Sequence, residues 1–243
     1  MTWDNFKTNT LEMPVSRINQ GLRAYMQKVY AYMAGGLVLS GLCAFIGSKP
    51  PFINALYNIS PQGASLSLLG WIVLLAPLVL IFMFQSAVGK LNVGRAQTIF
   101  WAFSALMGLS LSTIFLAYSG ESLLTTFLVT AGSFGGLSLF GYVTKKDLSG
   151  FGSFLIMGLW GIILAMIVNF FLKSPGVAYG ISILGVLIFA GLTAWDTQRI
   201  RQMYSAAPEE AHQALAISGA LALYLDFINL FLFLLRFMGN SRN

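Results

Sequence analysis

Seven long apolar runs constrain this chain more than any other feature of its sequence. A helix needs about 20 mostly apolar residues to cross the roughly 30 Å hydrocarbon core of a bilayer. Hydrophobic residues make up 57% of the chain and charged residues 9%, which excludes an ordinary soluble domain. We therefore predict an all-α polytopic membrane protein with seven transmembrane helices. The predicted spans are residues 28–47, 67–86, 98–118, 122–143, 151–172, 178–198 and 214–236.

These spans divide the chain into three parts. We predict an N-terminal tail over residues 1–27, a transmembrane domain over residues 28–236 and a short C-terminal tail over residues 237–243. The basic tail before the first apolar run resembles a signal peptide, but no A-x-A-like cleavage site follows it. The first run is therefore interpreted as a retained helix.

The distribution of basic residues predicts the orientation. The tail and the loops on its side of the membrane carry ten of the bases, whereas Lys49 and Lys173 alone lie in the opposite loops. The positive-inside rule then places the N-terminus in the cytoplasm. We expect the seventh segment to cross fully, which leaves Arg236 and Arg242 on the far side. The scattered bases form no aromatic-laced patch, so a nucleic-acid partner is not expected.

Only two of the eight acidic residues, Asp196 and Asp226, lie inside predicted spans. An aspartate at the centre of a membrane helix costs about 2.5–3.5 kcal/mol on insertion scales, so such a residue is a functional-site candidate by default. On the sixth span Thr193 lies close to Asp196, and on the seventh Asn229 shares a face with Asp226. These two polar residues are the expected neighbours of the carboxylates.

Helical spacing leaves two interpretations of the aspartates open. If tilt brings them together, two carboxylates in a low dielectric share a proton and act as a pH sensor. Once deprotonated, they also offer the oxygen ligands that Ca²⁺ prefers, as a transient metal site. Alternatively, Asp196 pairs with Arg199 one turn away, and Asp226 hydrogen-bonds Asn229 or a nearby backbone group. Elsewhere, the small-xxx-small spacing of Gly132 and Gly136 predicts a close helix approach.

Three motifs resemble those of the Bax inhibitor-1 family, also called the transmembrane BAX-inhibitor-motif proteins. They are "ALYLDFINLFLFLLRFMG" in the seventh segment, "TAWDTQRI" at the end of the sixth and "KKDLSGFGSFL" at the start of the fifth. The resemblance runs from about Arg23 to Gly239. It implies a bundle in which six helices surround the last, and a bacterial member would lie in the cytoplasmic (inner) membrane.

The resemblance also implies an activity, a pH-sensitive passive leak of Ca²⁺ controlled by an aspartate pair in the sixth and seventh helices. By motif, that pair corresponds to Asp196 and Asp226. The family pattern includes an arginine near the end of the second helix that engages the sixth-helix aspartate, and its equivalent here is Lys90 or Arg95. Calcium is then the permeating ion, and no cofactor is expected.

Two other functions compete with a channel. Intramembrane aspartyl proteases also use two aspartates on successive helices, but their G-x-G-D and P-A-L patterns are absent. The chain has "LYLD" with no glycines before Asp226, and "APL" at residues 76–78 lies in the wrong helix. We therefore do not expect an enzyme. Some family members resemble regulators of a membrane-bound ATP-dependent protease, acting through the N-terminal tail, so a membrane protease is an alternative partner.

Overall fold

The computed structural model describes residues 15–60 and 63–240 and is a bundle of helices. Its helices are α1 (Val15–Gly47), α2 (Phe52–Leu56), α3 (Leu68–Gly89), α4 (Val93–Ser110), α5 (Ile114–Ala117), α6 (Gly120–Val143), α7 (Ser149–Leu172), α8 (Pro175–Ala206) and α9 (His212–Met238). Seven segments of the described chain are long and apolar enough to cross a membrane, which confirms the predicted all-α, seven-span class.

The predicted ends of two spans are wrong in the same way. Helix α1 begins at Val15 rather than at Lys28, and α8 continues to Ala206 rather than stopping at residue 198. In both places the helix carries polar residues past the apolar run, since a helix needs hydrocarbon only for the part that crosses it. Residues 15–27 of the predicted tail are therefore helical. Residues 1–14 and 241–243 of the two predicted tails lie outside the described residues.

Helix α9 occupies the centre of the bundle, as the family resemblance implies. It packs against α1, α3, α4, α6 and α8, and 72% of its most apolar window is buried inside the protein. The expectation that six helices surround it needs one correction, because α7 packs chiefly on α8 at the periphery. Five long helices thus form the immediate shell of α9.

The two ends of the bundle differ in charge and structure. One end, here called the basic end, holds the start of α1 and the connections α3–α4, α6–α7 and α8–α9. The other, here called the hairpin end, carries α2 and an antiparallel ribbon of β1 (Tyr57–Ser60) and β2 (Gly63–Leu66). The sequence analysis did not predict this ribbon, since strands of four residues leave too short a pattern to recognise.

Close helix contacts occur at glycines other than those predicted. A Cβ on Gly141 of α6 would collide with the Ala194 carbonyl of α8, and one on Gly108 of α4 with the Ser40 backbone of α1. Gly132 and Gly136 have nothing within 4 Å of an added Cβ and line a cavity of about 420 Å³. The predicted close approach at these two positions is therefore wrong.

Candidate functional site

The structure brings the two membrane aspartates together. Asp196 is on α8, with its side chain 13% exposed, and Asp226 is on α9, 5% exposed. The two carboxyl groups lie within hydrogen-bonding range of each other, although they are on different helices and 30 residues apart in sequence. We call these residues the aspartate pair. Their contact follows from the extensive packing of α8 along α9.

The hydrogen bonding of the aspartate pair constrains its charge. Asp226 Oδ2 is buried, and no hydrogen-bond donor of the described residues reaches it. A hydrogen bond between two carboxyl groups needs a proton on one of them, because an ionised carboxylate can only accept. When the pair shares one proton in this contact, it carries a single negative charge.

The basic partner of the aspartate pair comes from α8 itself. Arg199 Nη1 lies 3.7 Å from Asp196 Oδ1, one helical turn away, and its guanidinium also lies over the Trp195 ring at 5.3 Å. This is the local ion pair that the sequence analysis weighed as an alternative. It coexists with the carboxyl–carboxyl contact, so the two interpretations are not exclusive.

Neither predicted latch residue contacts the aspartate pair. Lys90 and Arg95 are exposed at the α3–α4 connection, and the one salt bridge among the described residues is that of Arg199 with Asp196. The backbone N–H of Arg95 is held by Asn92 Oδ1 at the start of α4. The structure therefore places neither predicted latch residue at the aspartate pair. Arg199 is the basic neighbour of Asp196 instead, because it lies one turn away on the same helix and needs no tertiary contact to reach it.

A cavity towards the basic end reaches Asp196 of the aspartate pair. It measures about 360 Å³ and lies between α3, α8 and α9. Asp196 and Arg199 line it together with two further polar residues, Gln85 of α3 and Ser218 of α9, and its other walls are apolar. Neither Gln85 nor Ser218 was named among the expected neighbours of the carboxylates.

On the far side of the aspartate pair, α9 is sealed by apolar packing. The buried residues between Asp226 and the hairpin end are Phe227, Ile228, Leu230, Phe231, Phe233, Leu234 and Leu235. Asn229, a predicted polar neighbour, is half-buried and donates from Nδ2 to the Leu225 carbonyl of its own helix at 2.8 Å. The polar route from the basic end therefore stops at the two carboxyls.

The second predicted neighbour, Thr193, is also satisfied within its own helix. Its hydroxyl donates to the Phe189 carbonyl at 2.8 Å. The Thr193 carbonyl in turn accepts from Thr197, which contacts Ser138 of α6 at 2.9 Å. These bonds hold α8 against α6 and leave the carboxyl groups of the aspartate pair to each other and to Arg199.

Two buried hydrogen-bond anchors around the site were missed by the sequence analysis. Gln198, beside the aspartate pair on α8, donates to the Lys146 carbonyl at 2.8 Å and accepts from the Leu148 N–H at 2.9 Å, which ties the α6–α7 connection to α8. On α9, the Tyr224 hydroxyl bonds Ser40 Oγ of α1 at 2.7 Å. The sequence does show a glutamine and a tyrosine within apolar segments, which could have indicated buried hydrogen bonds. Their hydrogen-bond partners, however, can be identified only from the fold.

The set of potential metal ligands is small. In the described residues, no three His, Cys, Asp or Glu side chains come together. The aspartate pair therefore offers its own carboxylate oxygens to a cation, with any further ligands coming from water. Such a site is suited to transient contact with a hard cation rather than to a closed metal centre.

Comparison with known proteins gives consistent matches along the chain. The family profile described as inhibitor of apoptosis-promoting Bax1 matches residues 22–243. The inner membrane protein YbhL of Escherichia coli is 44% identical over 225 residues, covering 91% of this chain and 94% of that protein. An uncharacterized protein of Caulobacter vibrioides is 47% identical over 93% of this chain and 92% of its own length. One from Rickettsia prowazekii is 43% identical over 99% of both chains.

Proposed function

Because this chain belongs to the Bax inhibitor-1 family and is a multi-pass protein of the inner membrane, we propose that it is a pH-sensitive passive leak for Ca²⁺. The observation that carries the proposal is the contact between two buried carboxyls, one of which, Asp196, lines a cavity together with Arg199, Gln85 and Ser218. Ten basic residues in the tail and the loops at the basic end support a cytoplasmic N-terminus. The cavity then opens towards the cytoplasm.

The aspartate pair acts as the sensor in this proposal. With one shared proton the pair is singly charged and Arg199 balances it, so α8 and α9 stay in contact. Loss of that proton leaves two adjacent negative charges, which repel each other strongly in a low dielectric and attract a divalent cation. The number of protons on the pair thus decides which packing of α8 against α9 is favoured.

Helix α9 acts as the plug. Its apolar half between Asp226 and the hairpin end closes the route, and a hydrated ion cannot cross a dry apolar constriction. A shift of α9 relative to its five neighbours opens that half, and Ca²⁺ passes down its gradient with the two carboxylates as intermediate oxygen ligands. No cofactor and no catalytic step are part of this proposal.

Calcium uptake into proteoliposomes tests the proposal. Vesicles that contain the purified full chain and a trapped calcium indicator should fill faster than protein-free vesicles, and the rate should vary across about pH 5 to 8. Asp226→Asn should remove that variation, because an amide does not titrate. Glu210→Gln is the matched control, since Glu210 is an exposed acid at the same end of the bundle. Equal uptake by empty and protein-bearing vesicles would rule out the leak.

The protease-regulator alternative is separated by a different measurement. It requires the N-terminal tail, so a chain that lacks residues 1–14 should lose co-purification with the protease while keeping Ca²⁺ uptake. The opposite pattern, with uptake lost and co-purification kept, would assign the tail to the leak.

A further inference from the structure

Helices α1 and α6 leave a groove between them that faces the membrane. Both pack against α9, but they make little contact with each other. At the basic end the space between them is a groove of about 500 Å³, here called the α1/α6 groove. Its floor is buried and consists of Met26, Met33, Phe134 and Ser138. Gly135 and the 62%-exposed Leu139 open its α6 wall towards lipid.

The inner part of the α1/α6 groove is apolar. Its buried polar group, Ser138 Oγ, is bonded by the Tyr30 hydroxyl at 2.6 Å and by Thr197 Oγ1 at 2.9 Å, so it has no unmet hydrogen bond. The other polar side chains that line the groove, Gln27 and Tyr142, lie towards the basic end with Arg23. The inner part of the groove is therefore suited to hydrocarbon rather than to an ion or a polar solute.

The mouth of the groove is basic. Arg23, which lines it, is exposed, and the salt bridge present among the described residues involves neither Arg23 nor its neighbours. Arg201 lies at the other edge, where its Nη1 donates to the Tyr142 carbonyl. No acidic residue lines the groove, and Glu209 lines a separate cavity. An acyl chain in this groove therefore has its polar end beside Arg23, whose charge is not paired with an acid among the described residues.

The length of the groove matches one leaflet. On α1 it extends from Arg23 to Met33, ten residues or about 15 Å along the helix axis, half of the roughly 30 Å hydrocarbon core. At its inner end the lining residue Phe134 packs against Phe227 of α9, with ring centroids 5.5 Å apart. From these observations we infer that the α1/α6 groove binds one anionic phospholipid of the leaflet at the basic end, with an acyl chain in the groove and its phosphate at Arg23.

Lipid titration followed by native mass spectrometry tests this inference on the detergent-solubilised full chain. Phosphatidylglycerol and phosphatidylcholine with the same acyl chains are compared. The wild-type chain should bind one phosphatidylglycerol about fivefold more tightly than phosphatidylcholine, which corresponds to about 1 kcal/mol per basic residue near an anionic lipid. Arg23→Gln should remove that preference. Lys28→Gln is the charge control, because Lys28 is exposed at the same end but lines a different cavity.

Blocking the groove gives a second, independent arm. An added Cβ at Gly135 meets nothing within 4 Å, so Gly135→Phe should fill the groove without disturbing the bundle and should abolish tight binding of both lipids. Gly136→Phe is the matched control, since Gly136 is equally open but lines another cavity. Thermal unfolding midpoints check that both variants fold. If Gly135→Phe does not fold, the comparison of Arg23→Gln with the wild-type chain still tests the inference.

Three results would overturn the inference. Equal affinity for the two lipids in the wild-type chain would show that the surface holds only ordinary annular lipid. Tight binding that survives Gly135→Phe would place the lipid elsewhere. A dimer that Gly135→Phe dissociates would assign the groove to a second copy of the chain.

Discussion

Helices α7 and α9 are both apolar spans, yet they occupy opposite environments. The most apolar window of α7 has a mean hydropathy of 2.4 and is 11% buried inside the protein, whereas that of α9 has a mean hydropathy of 1.9 and is 72% buried. In a soluble protein the more hydrophobic helix would lie in the core. Here lipid is as apolar as the core, so hydropathy does not select the interior. Polar groups do: α9 contains Asp226 and Tyr224, and both are buried.

The largest expected effect comes from placing a buried-type acidic residue on the lipid-facing helix α7. Leu164 lies near the middle of α7 and is 60% exposed to the bilayer region. Leu164→Asp should cost about 2.5–3.5 kcal/mol of insertion free energy, because this carboxyl has no partner, whereas Asp226 has Asp196. The fraction of inserted chain in a translocon-based assay measures this cost.

The variant Leu164→Asn, which adds a side chain of the same size without the charge, serves as the control and should insert better than Leu164→Asp. If Leu164→Asp inserted as well as the wild-type segment, α7 would have an unrecognised polar environment, and the contrast between α7 and α9 would fail.

A smaller effect separates the two helices by packing alone. Leu223 of α9 is fully buried, so Leu223→Ala should lower the unfolding free energy by about 2 kcal/mol through the cavity it leaves. Leu164→Ala should change it by less than about 0.5 kcal/mol, since lipid fills the space. Unfolding titrations in mixed micelles compare the same chemical change at both sites. Equal losses would mean that α7 is packed by protein after all.

Removing a hydrogen bond should also lower the unfolding free energy more in α9, by about 1–2 kcal/mol, than in α7. Ser40→Ala removes the buried partner of the Tyr224 hydroxyl and should destabilise the protein by that amount. Adding Tyr224→Phe should recover part of the loss, because no buried hydroxyl then remains unpaired. Ser153→Ala on α7 is the exposed counterpart, whose bond to the Ser149 carbonyl is 3.3 Å, and should be nearly neutral. The same titrations measure all three variants, and a double mutant no more stable than Ser40→Ala would contradict the pairing.

The smallest expected effect is at the loop that leads into α7. Asp147 Oδ1 accepts hydrogen bonds from the Ser149 hydroxyl at 2.6 Å and from its N–H at 2.9 Å, and these bonds lower the pKa of the Asp147 carboxyl. Because the folded pKa lies below the unfolded value of about 3.9, this stabilisation is present above that value and is lost as the pH falls through the lowered pKa.

Ser149→Ala removes the larger of these two contributions, so the pKa of Asp147 should rise towards its ordinary value. An NMR titration of the carboxyl carbon measures the change, with Asp226→Asn as a variant that should leave it unaltered. An unchanged titration of Asp147 in Ser149→Ala would show that the hydroxyl does not act on the carboxyl.

The sequence was sufficient for the features that arise from local chemistry. The predicted starts and ends of the spans in α3, α6, α7 and α9 lie within a few residues of the helices, because apolar runs and their polar breaks are written directly in the chain. The two aspartates stood out for the same reason, as the sole acidic residues in predicted spans. Their contact was one of two possibilities, since the spacing along each helix does not fix how the helices cross.

Apart from the short β ribbon, the features that sequence reasoning missed depend on tertiary packing. Lys90 and Arg95 were reasonable latch candidates by family pattern, but the fold leaves both in solvent at the α3–α4 connection. Gly132 and Gly136 had a spacing suited to close contact between helices, but no neighbouring helix comes within 4 Å of a Cβ added at either position. The α1/α6 groove has no sequence signal, because it is defined by two helices that do not touch closely.

Helix α8 has a mechanical consequence that follows from its length. It is unbroken from Pro175 to Ala206, and Asp196 lies ten residues, or about 15 Å, from its exposed end. Gln198 fixes the helix to the α6–α7 connection almost at the level of that aspartate. Beyond Gln198, Arg201 donates to the Tyr142 carbonyl of α6 and Tyr204 packs on Tyr25 of α1, so the two outer turns are tied to their neighbours as well. A displacement at any of these contacts reaches Asp196 along one continuous helix.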